Sequence, residues 1–376
     1  MTVTLKEEIF GLAINPLTNV PEMVRRYTLT NANQMSVSFI QLGAIIQSVR
    51  IPNVYNKVED VCLGFDDIAG YVANKSAYIG GTLGRVANRV ANGEFICNDT
   101  KVEVTKNFKD TYQLHGGFIG FDSVIWEVVN KTENGITFRH VSPDGDEGYP
   151  GKLTVLIHYW LDNQNRFGIR YEAATDKVTA VNLSNHAYFN LAGHNTGRKG
   201  LAEHTVEIIS SQIVDTDDAQ IPTGQLLDVD ETVFDLRLPV LLGDRLLQFD
   251  KHLIKGYDNC FVLNKGNAVT SGTSLAAKLV HPPSGRVLEV WTDQPGLQFY
   301  TANNLPDEEA GEAPMIGKDC THYVKHGSFC VETEKFPDAG NHSSFPSIFL
   351  KPDEKYTHEV VYKFHVEESW KCCCNK

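Results

Sequence analysis

Strand-forming stretches recur along the whole 376-residue chain, and no helical periodicity lasts long enough to compete with them. Segments 37–40, 153–160, 167–172 and 287–292 are short and rich in β-branched and aromatic residues, which suit a pleated, half-buried surface. Turn clusters such as Asn163-Gln164-Asn165, Glu133-Asn134-Gly135 and Pro282-Pro283-Ser284-Gly285 punctuate them. The best helical candidates, 67–73 and 240–249, are brief. Many short strands with regular turns predict an all-β sandwich or barrel with few short helices. No fixed-period repeat points to a propeller or solenoid. No linker or shift of composition divides the chain either. The expectation is one β domain over residues 1–376, with residues 366–376 a flexible, cysteine-rich tail.

Charge narrows the partners. Lys and Arg number 34 against 47 Asp and Glu, a formal net charge of −13. Such a surface repels phosphate backbones and anionic lipid, so neither nucleic acid nor membrane is an expected partner. The first fifteen residues interrupt their apolar positions with Lys6, Glu7 and Glu8 and lack the apolar core of a signal peptide. No apolar run approaches the roughly 20 residues that span a bilayer. A cytoplasmic location is the expectation. Cys62, Cys97, Cys260, Cys320 and Cys330 are scattered singly, which predicts reduced thiols. Cys372, Cys373 and Cys374 could bind metal or be acylated, but read as an exposed tail. The loop 306–325 opens on Asp307-Glu308-Glu309 and is expected to be mobile.

Several motifs carry chemistry. Segment 181–193 alternates apolar and polar residues around His186, which follows Asn185 and precedes Tyr188 and Phe189. Histidine titrates near neutral pH, so His186 is either a proton carrier in a sugar pocket or a satisfied histidine of a β core. His115 precedes Gly116 and Gly117, a turn that could also bring backbone close to a ligand. Asn88 and Arg89 could line a pocket with donors, whereas Arg85 reads as part of a solvated hairpin. The glycines at 80, 81 and 84 lack the Lys-Ser/Thr of a phosphate loop. His322 and His326 have HxxxH spacing but no helical context or neighbouring Glu, and read as exposed. No metal site is expected. Glu332 follows the apolar run Phe329-Cys330-Val331, where desolvation would raise its proton affinity toward that of a general base. Glu334, beside Lys335, reads as a surface residue. Asp258 enters a strand and Gln298 lies within one, and both can hold hydroxyls.

Taken together, these stretches resemble the aldose 1-epimerase family, the galactose mutarotases. The matching segments are 84–89, 114–117 with 120–122, 142–151, Asn185-His186, 256–258, 294–301, 332–339, Phe345-Pro346 and 356–358. They run in family order from about Phe10 to Phe364. The resemblance implies a large antiparallel β-supersandwich with an open cleft, no metal and no organic cofactor. It implies Glu332 as general base, His186 as general acid and His115 as a second histidine at the reacting oxygens. Asn88, Arg89, Asp258 and Gln298 would hold the sugar hydroxyls. The expected reaction interconverts α and β anomers of free galactose and glucose through ring opening, in a monomer. A nearby carboxylate would favour charged His186, and Arg89 would favour charged Glu332. Two alternatives keep the fold: a hexose 6-phosphate substrate, for which no basic cluster is visible, or a non-catalytic sugar binder, which would not need the acid–base set. A glycoside hydrolase would need two carboxylates across the scissile bond. The acidic insertion at 308–320 and the triple-cysteine tail depart from the family pattern.

Overall fold

The structure is a computed structural model that describes residues 2–265 and 272–367; the triple-cysteine tail lies outside the described residues. Three antiparallel sheets dominate it. A nine-stranded sheet is centred on Leu153–Leu161, Arg166–Thr175, Tyr356–Val366 and Arg286–Thr292. A six-stranded sheet runs in the order Tyr188–Phe189, Phe329–Glu334, Gly296–Tyr300, Asp258–Leu263, Ser210–Thr216, Pro222–Asp228. A five-stranded meander covers Thr4–Ile14 to Val58–Asp60. The four segments singled out as strands all lie in these sheets.

Alternation explains how the layers join. In Leu153–Leu161 every odd-numbered residue is buried and every even-numbered one half-buried, the signature of a strand with one face on a core. Val155, Ile157 and Tyr159 from the nine-stranded sheet meet Leu297, Phe299 and Val331 from the six-stranded one in a continuous core. Val37 and Phe39 from the meander enter the same core, and Phe39 stacks on Tyr159 at 4.3 Å. Each such side chain contributes about 1.5–3 kcal/mol of burial. The architecture is therefore the all-β sandwich expected. Short α-helices Ile68–Ala73 and Leu242–Leu246 fall where helical spacing was read. The first is capped by Asp67 Oδ1, which accepts the Gly70 N–H at 2.8 Å. Among the described residues no helix is long and apolar enough to cross a membrane.

Arg85 corrects one reading. It is fully buried, and its guanidinium donates to Ser142 Oγ at 2.9 Å, Pro143 O at 2.7 Å and Pro150 O at 3.0 Å. It ties loops together instead of facing solvent. A guanidinium can satisfy all its donors on carbonyls, so sequence position alone does not predict its exposure.

Candidate active site

Strand Phe329–Glu334 is buried on both faces. Period-2 alternation sends Phe329 and Val331 into the core and leaves Cys330, Glu332 and Glu334 on the opposite face. Register continues that face across the sheet. Gln298 stands opposite both Glu332 and Cys260, and Tyr300 opposite both Cys330 and Asp258. Cys330 in turn faces Tyr188. Directly opposed residues on antiparallel strands share a face, so Glu332, Gln298 and Asp258 form one polar floor.

Loops supply the rest. His186 follows the short strand Ser184–Asn185, and its backbone is held at both ends: its N–H donates to Gly81 O and its C=O accepts from Gly80 N, each at 2.9 Å. Asn88 and His115 flank the pairing of Arg89–Val90 with Gln113–Leu114. Both have left-handed backbones, φ 64° and 52°. They are locked reciprocally. His115 N–H donates to Asn88 O at 2.9 Å, and Asn88 N–H donates to His115 Nδ1 at 3.1 Å. Gly116 is required next to them, because a Cβ there would lie 1.8 Å from Gly84 O.

All seven residues expected at the site line one cleft of about 250 Å³: Asn88, Arg89, His115, His186, Asp258, Gln298 and Glu332. His186 Nε2 lies 3.7 Å from Glu332 Oε1, and both side chains are almost wholly buried. The imidazole is stacked on Tyr188 at 4.8 Å and faces Tyr78 at 6.2 Å. His115 meets it edge-on, with ring centres 5.3 Å apart. Arg89 donates to Asn88 Oδ1 at 3.1 Å, Gln220 Oε1 at 2.9 Å and Asp258 Oδ2 at 3.2 Å. Gln298 Nε2 donates to Asp258 Oδ1 at 2.7 Å. Gln298 Oε1, Arg89 Nε and Glu332 Oε2 are buried without a partner among the described residues. Each such atom needs a partner, and in an open cleft the hydroxyls of a ligand can supply it.

Electrostatics run against the expectation of two mutually charged partners. Burial holds the His186 imidazole down, to about 4. Burial, reinforced by Glu334 and Asp258, pushes Glu332 well above the carboxylate range, and Arg89 offsets this only in part. Loss of water outweighs pairing here because neither group has enough compensating hydrogen bonds. His115 is held well below its usual range by burial, by the neighbouring His186 imidazole and by the Arg89 charge. With Nδ1 already an acceptor, its ring proton sits on Nε2. For Arg89 burial disfavours the charge, but Asp258 and Tyr112 more than restore it.

His186, Cys330 and Glu332 each bring a donor atom within 4.8 Å of the others. The imidazole turns Nδ1 to Cys330 Sγ in a hydrogen bond at 3.4 Å and Nε2 to Glu332 at 3.7 Å, so the two neighbours lie on opposite sides of one ring. His322 and His326 are not paired: one meets Glu308 and the other Asn303.

The sequence profile of the aldose 1-epimerase family matches residues 25–363. The chain belongs to the aldose 1-epimerase family. It is 41% identical to the galactose mutarotase of Bos taurus over 335 residues, 89% of this chain and 92% of that protein. It is 34% identical to the aldose 1-epimerase of Escherichia coli, over 91% of this chain and 96% of that one. A crystal structure of an aldose epimerase homologue from C. elegans superposes with a TM-score of 0.80 at 28% identity, covering 90% and 97% of the two chains.

Within that family framework, three cleft residues, and a buried carboxyl behind them, escaped the sequence reading. Tyr188 and Tyr300 lie two positions after His186 and Gln298, a spacing that in a strand returns to the same face. Tyr78 sits in a loop with φ 53° and left no periodic signal. Glu334 is fully buried and not at the surface. Its neighbour Lys335 misled, since adjacent strand residues point to opposite faces. The loop 306–325, expected to be mobile, contributes Pro306 and Met315 to the cleft rim. Arg198 and Lys325 both pair with Asp307, and Lys318 reaches a buried Asp60 at 2.7 Å.

Proposed function

We propose that the protein interconverts the α and β anomers of free aldohexoses, galactose and glucose, with Glu332 as base and His186 as acid. One observation carries the reading. A carboxylate oxygen and an imidazole nitrogen stand 3.7 Å apart at the floor of a cleft whose other polar groups suit hydroxyls. The two oxygens that must exchange protons, the anomeric hydroxyl and the ring oxygen, are bonded to the same carbon. Two closely spaced proton carriers are therefore what the reaction requires.

Glu332 takes the anomeric hydroxyl proton while His186 gives one to the ring oxygen. The C1–O5 bond breaks, leaving an aldehyde at C1 and a hydroxyl at C5. Rotation about C1–C2 and reclosure, with both transfers reversed, give the other anomer. The pair carries one proton between its members. Burial makes the Glu332-carboxylate, His186-imidazolium form scarce, and the same burial makes that form a stronger base and a stronger acid. Positioned proton transfer of this kind is worth roughly 10²–10⁴-fold per group. His115 donates a neutral N–H to the reacting oxygens. Asn88, Arg89, Asp258 and Gln298 hold the remaining hydroxyls.

A phosphorylated hexose is disfavoured. Arg89 is the only Lys or Arg among the described residues lining the cleft, and it is engaged with Asp258. The cleft is complete within one chain, which supports a monomer. The unpaired Cys62, Cys97, Cys260, Cys320 and Cys330 fit a reducing cytoplasm. Polarimetry of fresh α-galactose and α-glucose tests the reading: the protein should speed the decay of rotation, and Glu332→Gln and His186→Asn should each remove most of that effect. Full activity in Glu332→Gln would overturn the assignment.

A further inference from the structure

Glu334 has no place in the chemistry above, yet it is as buried as the base two residues before it and shares its face. Its Oε1 accepts from Asn88 Nδ2 at 3.0 Å, and its Oε2 is buried without a partner among the described residues. Asn88 is thereby clamped at both ends. Its carbonyl oxygen accepts from Arg89 Nη1 at 3.1 Å, and a guanidinium can only donate, so the amide orientation is fixed. The order of contacts is Glu334, Asn88, Arg89, Asp258, Gln298.

We propose that Glu334 is a positioning residue of the reaction, acting through the Asn88 amide on the Arg89–Asp258 pair and through space on Glu332. The proposal rests on the epimerase reading of the cleft. The charge inventory explains why a carboxyl is tolerated there. Glu332 shares the strand, Asp258 and Cys260 approach from the next strand but one, beyond Gly296–Tyr300, Tyr356 approaches from the nine-stranded sheet, and Arg89 is the one cation acting on Glu334 among the described residues. One guanidinium cannot balance three carboxylates, two of them wholly buried, so Glu334 works as the neutral acid. Burial pushes its carboxyl up to about 8, despite the hydrogen bond from Asn88 and the attraction of Arg89. Above that pH a second buried charge would stand on the face of Glu332 and favour the protonated, inactive form of the base.

The neutral isostere separates the two effects, because the Gln oxygen can still accept from Asn88. Once the uncatalysed rate is subtracted, wild-type kcat/KM should fall on the alkaline side with a midpoint near 8. In Glu334→Gln that limb should move by more than tenfold in proton concentration. Glu334→Ala should raise KM about tenfold more than Glu334→Gln does, since only the former frees Asn88. Infrared titration of the full protein gives a readout that needs no turnover. A protonated-carboxyl band should disappear between pH 7 and 9 in the wild type and be missing throughout in Glu334→Gln. An alkaline limb unchanged in Glu334→Gln, or no band lost with the substitution, overturns the proposal. If wild type shows the band but no mutarotation, the epimerase reading fails and the buried acid stands.

Discussion

The backbone N–H of Asn88 donates to Nδ1 of His115 at 3.1 Å, so one cleft residue fixes the tautomer of another. Protonating Nδ1 would set two N–H groups against each other. Burial, the neighbouring His186 imidazole and the Arg89 charge already disfavour it. His115 is therefore expected to be neutral, with its proton on Nε2, at and below the pH where a free imidazole titrates. Nitrogen-15 NMR of the ring reads this directly, and a His115 signal that titrates near 6.5 would contradict it. Removing the donor in His115→Ala should lower kcat by roughly 10²-fold, in the range for a positioned proton or hydrogen-bond partner.

On the proposed mechanism His186 and Glu332, 3.7 Å apart, handle one shared proton, and groups acting as a unit are not additive. Glu332→Gln and His186→Asn should each lower kcat by about 10²–10⁴-fold, and the double variant should be little worse than the weaker single one. Independent, multiplying losses would show that the two groups serve separate steps. Galactose binding followed by calorimetry should survive in both single variants, because Arg89, Asp258 and Gln298 remain tied to one another.

Much of this site could be read from the chain because its catalytic strand announces itself. Phe329-Cys330-Val331 is an apolar run that ends in a carboxylate, and a charge there has few explanations besides chemistry. His186 and Gln298 likewise sit in alternating strand patterns. What could not be read depends on side-chain partners far apart in sequence. Arg85 is buried because carbonyls at 142, 143 and 150 converge on it, and nothing local records that convergence. The rise of Glu332 was legible in its apolar run, but the fall of His186 was misjudged for a related reason. Pairing is visible in residue types, whereas the loss of water that outweighs it comes from burial that only the folded chain creates. Tyr78 enters the cleft through a single left-handed residue after the turn Lys75–Ala77, a conformation with no periodic signature.

Arg89 is held by three acceptors on different elements, Asn88, Gln220 and Asp258. A lysine would keep the charge and lose the planar fork. Arg89→Lys should therefore raise KM for galactose by about tenfold while kcat changes by no more than a few-fold, since the proton carriers are untouched. Initial-rate polarimetry separates the two constants. A loss confined to kcat would mean that Arg89 acts on the base and not on the sugar.

The rim loop carries the last prediction. Lys318 is buried with its ammonium donating to Asp60 Oδ2 at 2.7 Å and to the carbonyls of Gln47 and Cys62 at 2.8 Å. For Asp60, burial opposes ionisation, but Lys318, Ser48 and the Cys62 N–H more than offset it and hold the carboxyl below its ordinary 3.8. A lowered carboxyl stabilises the fold above its unfolded value and loses that contribution as the pH falls through the folded one. Lys318→Met leaves the Asp60 charge buried without its cation, a change that typically costs roughly 3–5 kcal/mol. Denaturant unfolding should show the gap between wild type and variant larger at pH 7 than at pH 3, shrinking as the pH falls first through the variant's raised Asp60 value and last through the wild type's lowered one. Adding Asp60→Asn to Lys318→Met should recover part of the loss at pH 7. Because the same loop brings Met315 to the cleft, KM should rise in the single variant and fall back in the double. A gap of equal size at pH 3 and pH 7 would show that Lys318 stabilises by packing alone.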